Sequence, residues 1–132
     1  MENTKIININ NLEATYLFES FQGLSKKNSN FQQLHLGGCK MENATFIHCE
    51  FANCTLQACI LDQVKFINCT FINCKMSYSV GGDLEFIGCE FQEMEWKGTQ
   101  TTKLEVNFCS LDENTNILVS EHDETLNKVF SN

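Results

Sequence analysis

Large apolar side chains recur at every fifth position from residue 31 to residue 111. Fifteen of these seventeen positions are large and apolar, and the exceptions are Gly81 and Thr101. A second column lies two residues earlier in each unit and holds all eight cysteines of the chain. The other three positions of each unit are mostly polar. A period of five fits neither an α-helix nor an ordinary strand, so it predicts a solenoid whose units bury apolar side chains by stacking.

The repeated units resemble a known family. Residues 49–53 read CEFAN, residues 54–58 read CTLQA and residues 69–73 read CTFIN. These units are similar to the pentapeptide repeat family, whose loose consensus is a small residue, a polar residue, Leu or Phe, and two polar residues. The resemblance covers roughly residues 29–113. Because four such units make one square turn in that family, it implies an all-β solenoid: a right-handed quadrilateral β-helix of about four coils.

The segment before the repeats, residues 1–28, is expected to cap the first coil, because an open coil end is an edge that pairs with other chains. Alternation over Lys5 to Ile9 predicts a short strand. Asn11 resembles a helix N-cap, so we predict a helix over Leu12 to Phe21. Residues 25–30 read as a polar loop.

The segment after the repeats, residues 114–132, is expected to hold a short strand at residues 117–119 and then a C-terminal helix. Leu126, Val129 and Phe130 form an amphipathic stripe on that helix. Family members often dimerise through such a segment, so the resemblance implies a homodimer in which these three residues make contact.

The cysteines are expected to be small core hydrophobes rather than chemical groups. Stacked parallel side chains do not offer disulfide geometry, and no Cys-x-x-Cys pair suggests zinc. Burial against Phe should raise the pKa values of the thiols and keep them unreactive.

The corner around Gly81 interrupts the apolar interior. Ser79 and Thr99 share one inward column there, and Thr101 stacks on Gly81. The sequence leaves a bulge, a buried hydroxyl ladder, a kink and a functional pocket open as interpretations.

Two outward surfaces are candidates for interaction. Ile47, Ile67 and Ile87 fall in one line, with Phe108 beside its continuation, and such an apolar stripe marks a contact with a terminus of the chain or with another chain. The second candidate is an acidic face, whose residues are Glu50, Glu90, Glu93, Asp112 and Glu113.

Composition narrows the function further. The net charge is −8, all of it in residues 81–132, and the chain has no Arg, so we expect no direct binding of nucleic acid. No apolar run is long enough to span a membrane and no secretory signal is evident, which places the protein in the cytoplasm. His35, His48 and His122 share no metal-ligand spacing, and no acid, base and nucleophile set occurs. We therefore expect no enzyme activity, no metal and no cofactor.

Two functions remain. The first is a non-enzymatic protein-interaction scaffold that forms a homodimer. The second follows from the family resemblance, because some pentapeptide repeat proteins mimic DNA and inhibit or protect DNA gyrase, a topoisomerase. A DNA mimic needs its acids in lines along one continuous face, whereas a scaffold does not.

Overall fold

The computed structural model describes residues 14–112 as a stack of parallel β-strands, without a helix in that range. Most strands are three residues long, because each pentapeptide unit contributes three extended residues and then a corner. The strands are β1 (Ala14–Leu17), β2 (Ser20–Gln22), β3 (Ser25–Lys27), β4 (Asn30–Gln32), β5 (Leu34–Gly37), β6 (Lys40–Glu42), β7 (Thr45–Ile47), β8 (Glu50–Ala52), β9 (Thr55–Gln57), β10 (Ile60–Asp62), β11 (Val64–Ile67), β12 (Thr70–Ile72), β13 (Lys75–Ser77), β14 (Val80–Ile87), β15 (Glu90–Gln92), β16 (Glu95–Lys97), β17 (Gln100–Asn107) and β18 (Ser110–Leu111).

The strands form the four sides of a right-handed quadrilateral β-helix. Side 1 is β1-β5-β9-β13-β16, and side 4 is β4-β8-β12-β15-β18. Side 2 contains β2, β6 and β10, side 3 contains β3, β7 and β11, and the long strands β14 and β17 run across both of these sides. Every pairing is parallel and joins residues 20 apart, such as Phe66 with Phe46 and with Phe86. This register confirms the predicted solenoid.

The corners are made by residues in the left-handed region of φ. Among the described residues, seventeen have positive φ, and each directly follows a strand; thirteen of them are not glycine. At the corner between sides 2 and 3, Gly23, Asn43 and Gln63 follow this rule. Asp83 and Lys103 do not, because β14 and β17 continue through that corner as extended backbone.

The interior is filled by the two predicted columns of side chains. Rings stack along side 3, where Phe46, Phe66 and Phe86 have centroids 5.1 Å apart in successive coils. Rings of side 4 meet them edge to face, for example Phe66 and Phe71 at 5.2 Å. The tower therefore has a continuous aromatic core, as the spacing of five predicts.

The described stack holds about five coils, one more than expected, because it extends N-terminally beyond residue 29. The predicted helix over Leu12–Phe21 is wrong for its described part, since β1 and β2 occupy residues 14–17 and 20–22. The predicted loop at residues 25–30 is also wrong, because β3 and the start of β4 lie there. The predicted strand at residues 5–9, the strand at residues 117–119 and the C-terminal helix lie outside the described residues.

The first coil does not show the repeat pattern in the sequence because polar residues occupy some of its inward positions. Lys26 pairs in register with Phe46, so it stands where the repeat has a large apolar residue. Glu19 takes a position where later coils have Cys, Ser or Thr. Meanwhile Tyr16 and Phe21 fit both a helical stripe and a spacing of five, and their rings pack edge to face at 5.6 Å across one corner of the coil.

Candidate interaction surfaces

The predicted isoleucine stripe is a vertical column on side 3. Ile47, Ile67 and Ile87 pair in register in β7, β11 and β14, and all three side chains are half-buried. Asn107 continues the column in β17, and Phe108 follows at the corner with 92% of its surface exposed. The three isoleucines thus shield one another, while Phe108 stands in solvent.

The predicted acidic residues lie around side 4. Glu50 and Glu90 share a column but are separated by Thr70, which pairs with both. The Glu90 carboxylate accepts a hydrogen bond of 3.0 Å from the Gln92 amide. The Asp112 carboxylate accepts one of 3.2 Å from the backbone N–H of Glu93, so these acids gather at the upper coils. Glu113 lies outside the described residues.

Acids also occur on the other three sides of the described tower. Glu95 lies on side 1 and Asp62 on side 2. On side 3, Glu85 and Glu105 stand beside lysines, because Lys65 reaches Glu85 at 4.0 Å and Lys103 reaches Glu105 at 3.4 Å. These exposed pairs contribute little stability. The carboxylates of the described residues therefore surround the tower instead of forming one line.

A polar cleft of about 210 Å³ opens at the corner where β14 and β17 run straight through. Asp83 and Lys103 line its edge, and the ion pairs of side 3 form its wall. Its charges are of both signs and largely paired. The cleft consequently has no single ligand chemistry.

At the start of side 2, inside the corner that it forms with side 1, the interior near Gly81 contains a buried hydroxyl ladder, one of the interpretations left open by the sequence. The Cys59 amide donates to Ser79 Oγ at 3.1 Å, and the Ser79 amide donates to Thr99 Oγ1 at 3.4 Å. A Cβ on Gly81 would lie 2.7 Å from the Leu61 carbonyl oxygen, so the backbone approaches too closely for a larger residue. This region is structural packing rather than an open pocket.

The thiols are mostly structural, as expected. All eight are free, and seven are buried. Each donates weakly to backbone carbonyl oxygens; the Cys54 thiol, for example, lies 3.4 Å from the Phe31 oxygen of the preceding coil. Desolvation by burial raises the pKa of Cys59 to about 11.

The expectation that every buried thiol has a raised pKa is wrong for part of the ladder. A hydrogen bond with the thiol of Cys89 lowers the pKa of Cys109 to about 7, and Cys109 is half-exposed. Bonds with the neighbouring thiols of Cys74 and Cys89 likewise lower the pKa values of Cys54 and Cys69. Stacking thiols at one spacing lets one sulfur donate to another, which sequence spacing alone does not reveal.

A further apolar surface was missed by the sequence analysis. It lies at the corner between sides 1 and 2, where residues 18, 38, 58, 78 and 98 are Phe, Gly, Ala, Tyr and Gly. Phe18 and Tyr78 are exposed, as are Ile60 and Val80 on the adjoining strands of side 2. Reading the outward positions every 20 residues would have found this column.

Neither a group of metal ligands nor a membrane-spanning helix is found in residues 14–112. No group of three His, Cys, Asp or Glu side chains there is placed to hold a metal ion. No helix in that range is long and apolar enough to cross a membrane.

Square coils of parallel strands, left-handed corners and two inward columns define the class of this protein as a right-handed quadrilateral β-helix. The family model for pentapeptide repeats matches eight copies over residues 27–63 and 49–79. The resemblance of the repeats to the pentapeptide repeat family is thus confirmed over these residues. No curated protein sequence matches it.

Solved structures of the same fold resemble the tower. Full-length QnrB1, a plasmid-mediated fluoroquinolone resistance protein, matches with a TM-score of 0.53 and 18% identity over 66% of this chain and 48% of QnrB1. The chain thus spans about half the length of QnrB1. A pentapeptide repeat protein, Rfr23, from the cyanobacterium Cyanothece 51142 matches with a TM-score of 0.36 and 13% identity over 79% of this chain and 91% of Rfr23. At such identity the likeness concerns the fold alone.

Proposed function

We propose that this protein is a non-enzymatic protein-interaction scaffold that works as a homodimer in the cytoplasm. The observation that carries the proposal is the column of Ile47, Ile67 and Ile87. These side chains point outward from a rigid sheet whose core is already complete, so the fold itself does not require them. An apolar column with no role in the core is typical of a contact surface.

Phe108 extends this contact surface at the upper end of side 3, because its ring is in solvent beside the end of the column. Leu126, Val129 and Phe130 remain predicted contacts in the segment outside the described residues. Pentapeptide repeat proteins serve as scaffolds in general, and the described residues offer no catalytic constellation that argues otherwise.

The test compares two variants with the same change of charge on one strand. Ile67→Glu places a carboxylate within the column, whereas Lys65→Gln, two residues away on β11, alters charge outside it. Each variant is used as bait for proteins of the cell that makes it, with quantitative mass spectrometry as the measurement. We expect partners bound by the wild type to be lost at least tenfold with Ile67→Glu and kept with Lys65→Gln. Equal recovery with both variants would remove the column from the proposal.

The alternative function is DNA mimicry directed at DNA gyrase. The cluster of Glu90, Glu93 and Asp112 and the net charge of −8 support it, together with the fold shared with QnrB1. The spread of acids over all four described sides counts against it, because a mimic presents them along one continuous face.

A supercoiling assay separates the two functions. Inhibition of gyrase at low micromolar concentration, lost when Glu90, Glu93 and Asp112 are changed to Gln, would establish the mimic. Unchanged supercoiling in the presence of folded protein would leave the scaffold.

A further inference from the structure

The corner between sides 1 and 2 is a smooth apolar ridge. We call it the aromatic corner and define it by the column Phe18, Gly38, Ala58, Tyr78 and Gly98, with the adjoining Ile60 and Val80. A Cβ on Gly38 would lie 2.6 Å from the Phe18 ring, and a Cβ on Gly98 would lie 2.7 Å from the Tyr78 ring. Each ring therefore packs against a glycine of the next coil, and between the two rings the column holds only Gly38 and Ala58.

Both rings occupy positions that the isolated tower disfavours. Phe18 has φ of 58° and Tyr78 has φ of 52°, in the left-handed region that bulky residues avoid. They are also 82% and 55% exposed, so folding gains little from burying them. A residue that is unfavourable for both backbone and solvation points to a role outside the fold of one chain.

The apolar surface continues from the ridge onto side 2. Ile60 and Val80 pair in register on β10 and β14, and both side chains are exposed beside the ridge. Leu17, just before Phe18, is exposed as well. Five of the six most exposed large apolar side chains in the described chain thus lie at one corner, and only Phe108 lies elsewhere.

The charge distribution favours this corner for contact between two acidic molecules. Within residues 14–112, each of the other three corners carries charged, amide or imidazole side chains, whereas the aromatic corner carries none of them. The charges nearest to it include two lysines. Lys97 Nζ lies 5.9 Å from the centre of the Tyr78 ring, and Lys40, paired with Glu42 at 3.3 Å, lies beneath Ile60. Carboxylates lie beside the corner, at Glu19 next to Phe18 and at Glu42, but the column of corner residues itself presents none to a second copy of this acidic chain.

We propose that the aromatic corner binds a second copy of this chain, in an antiparallel arrangement with a two-fold axis near Ala58. This inference rests on the proposed function as an interaction protein and names one surface and its occupant. A two-fold contact uses the same patch on both copies. Phe18 at one end then faces Tyr78 of the partner subunit at the other, and the small Ala58 lets the backbones approach.

The size of the patch fixes the expected strength of the contact. Five coils at about 4.8 Å spacing give a ridge about 19 Å tall. A ridge of that height covers less than the roughly 800 Å² per partner of a stable interface. The dimer is consequently concentration-dependent and dissociates on dilution.

The test measures the mass of the full chain by sedimentation between about 5 and 500 μM. We expect the wild type to move from 15.1 kDa towards twice that mass as concentration rises. Phe18→Asn combined with Tyr78→Asn should raise the dissociation constant at least tenfold, since Asn tolerates the left-handed region and keeps the corner intact. The matched control is His48→Asn, which removes an exposed ring with φ of 54° at another corner and should dimerise like the wild type.

A second pair of variants makes the test independent of the rings. Ala58→Arg places a charge at the proposed two-fold axis and should abolish the dimer. Gln63→Arg, at the next corner with nearly the same φ, should not. A wild type that stays monomeric at 500 μM, or variants of the aromatic corner that dimerise like their controls, would overturn the proposal. Because Ile67→Glu probes side 3, loss of either surface is distinguishable from loss of the other.

Discussion

Replacing Phe66 with Ala removes the ring at the centre of the aromatic core. Phe66 stacks between Phe46 and Phe86 at 5.1 Å and meets Phe51 and Phe71 edge to face at 5.7 and 5.2 Å. Only 3% of its surface is exposed. The change therefore leaves a cavity bounded by four rings whose backbone is fixed by the sheet ladder on both sides.

The cost follows from this geometry. Truncation of a buried Phe to Ala costs about 3–5 kcal/mol, and the upper part of that range applies where the surroundings cannot collapse. The stacked strands above and below prevent collapse, so we expect about 4–5 kcal/mol. That is a large share of the roughly 5–15 kcal/mol that stabilises a typical domain.

Urea denaturation followed by circular dichroism measures the loss. Phe66→Leu, which keeps the apolar volume within the repeat's own preference, should cost only about 1–1.5 kcal/mol. Phe108→Ala removes a ring in solvent and should change stability by less than about 0.5 kcal/mol. A loss below about 2 kcal/mol for Phe66→Ala would refute the rigid aromatic core, because it would mean that the coils close around the missing ring.

Two further predictions concern a corner and a thiol. Gly98→Ala should destabilise more than Gly23→Ala in thermal melts. Both glycines have positive φ, which costs about 1 kcal/mol for Ala, but only Gly98 lies beneath a ring, that of Tyr78, whereas nothing lies within 4 Å of a Cβ on Gly23. Equal losses would contradict the contact. Iodoacetamide should modify Cys109 first in the native protein, with a rate that rises through pH 7 as the thiolate forms, while Cys49 stays unmodified because burial raises its pKa. Peptide mass spectrometry checks this, and a midpoint near pH 9 would be the contrary result.

The interior of the tower was accessible from sequence because its rule is strictly local. One inward column sets the spacing of five, and the stacking partner of each side chain is then simply 20 residues away. Phe46, Phe66 and Phe86 follow this rule without exception. Where an inward position is polar, as at Lys26, the apolar pattern is interrupted and the coil is not detected from sequence.

The aromatic corner could not be predicted in that way because its surface depends on contacts between residues that are 20 positions apart. Phe18 can approach residue 38 so closely only because that residue is Gly, and Tyr78 can approach residue 98 only because it is Gly. The spacing of five places all four residues at outward positions and does not distinguish them from other outward residues. Likewise, the low pKa of Cys109 arises from the neighbouring coil and not from its own unit.

The rings and glycines of the corner also make the order of the coils matter for packing. Several outward side chains lean toward the coil that follows them, as Leu17 does over Gly37 and Asn68 over Gly88. Duplication of one 20-residue coil would preserve the packing of the interior, since a Phe would stack on an identical Phe. On the surface the same duplication would set Tyr78 against another Tyr in place of Gly98. The packing of the core therefore tolerates the addition of a coil during evolution. The contacts at the corners do not, because there one coil is not interchangeable with the next.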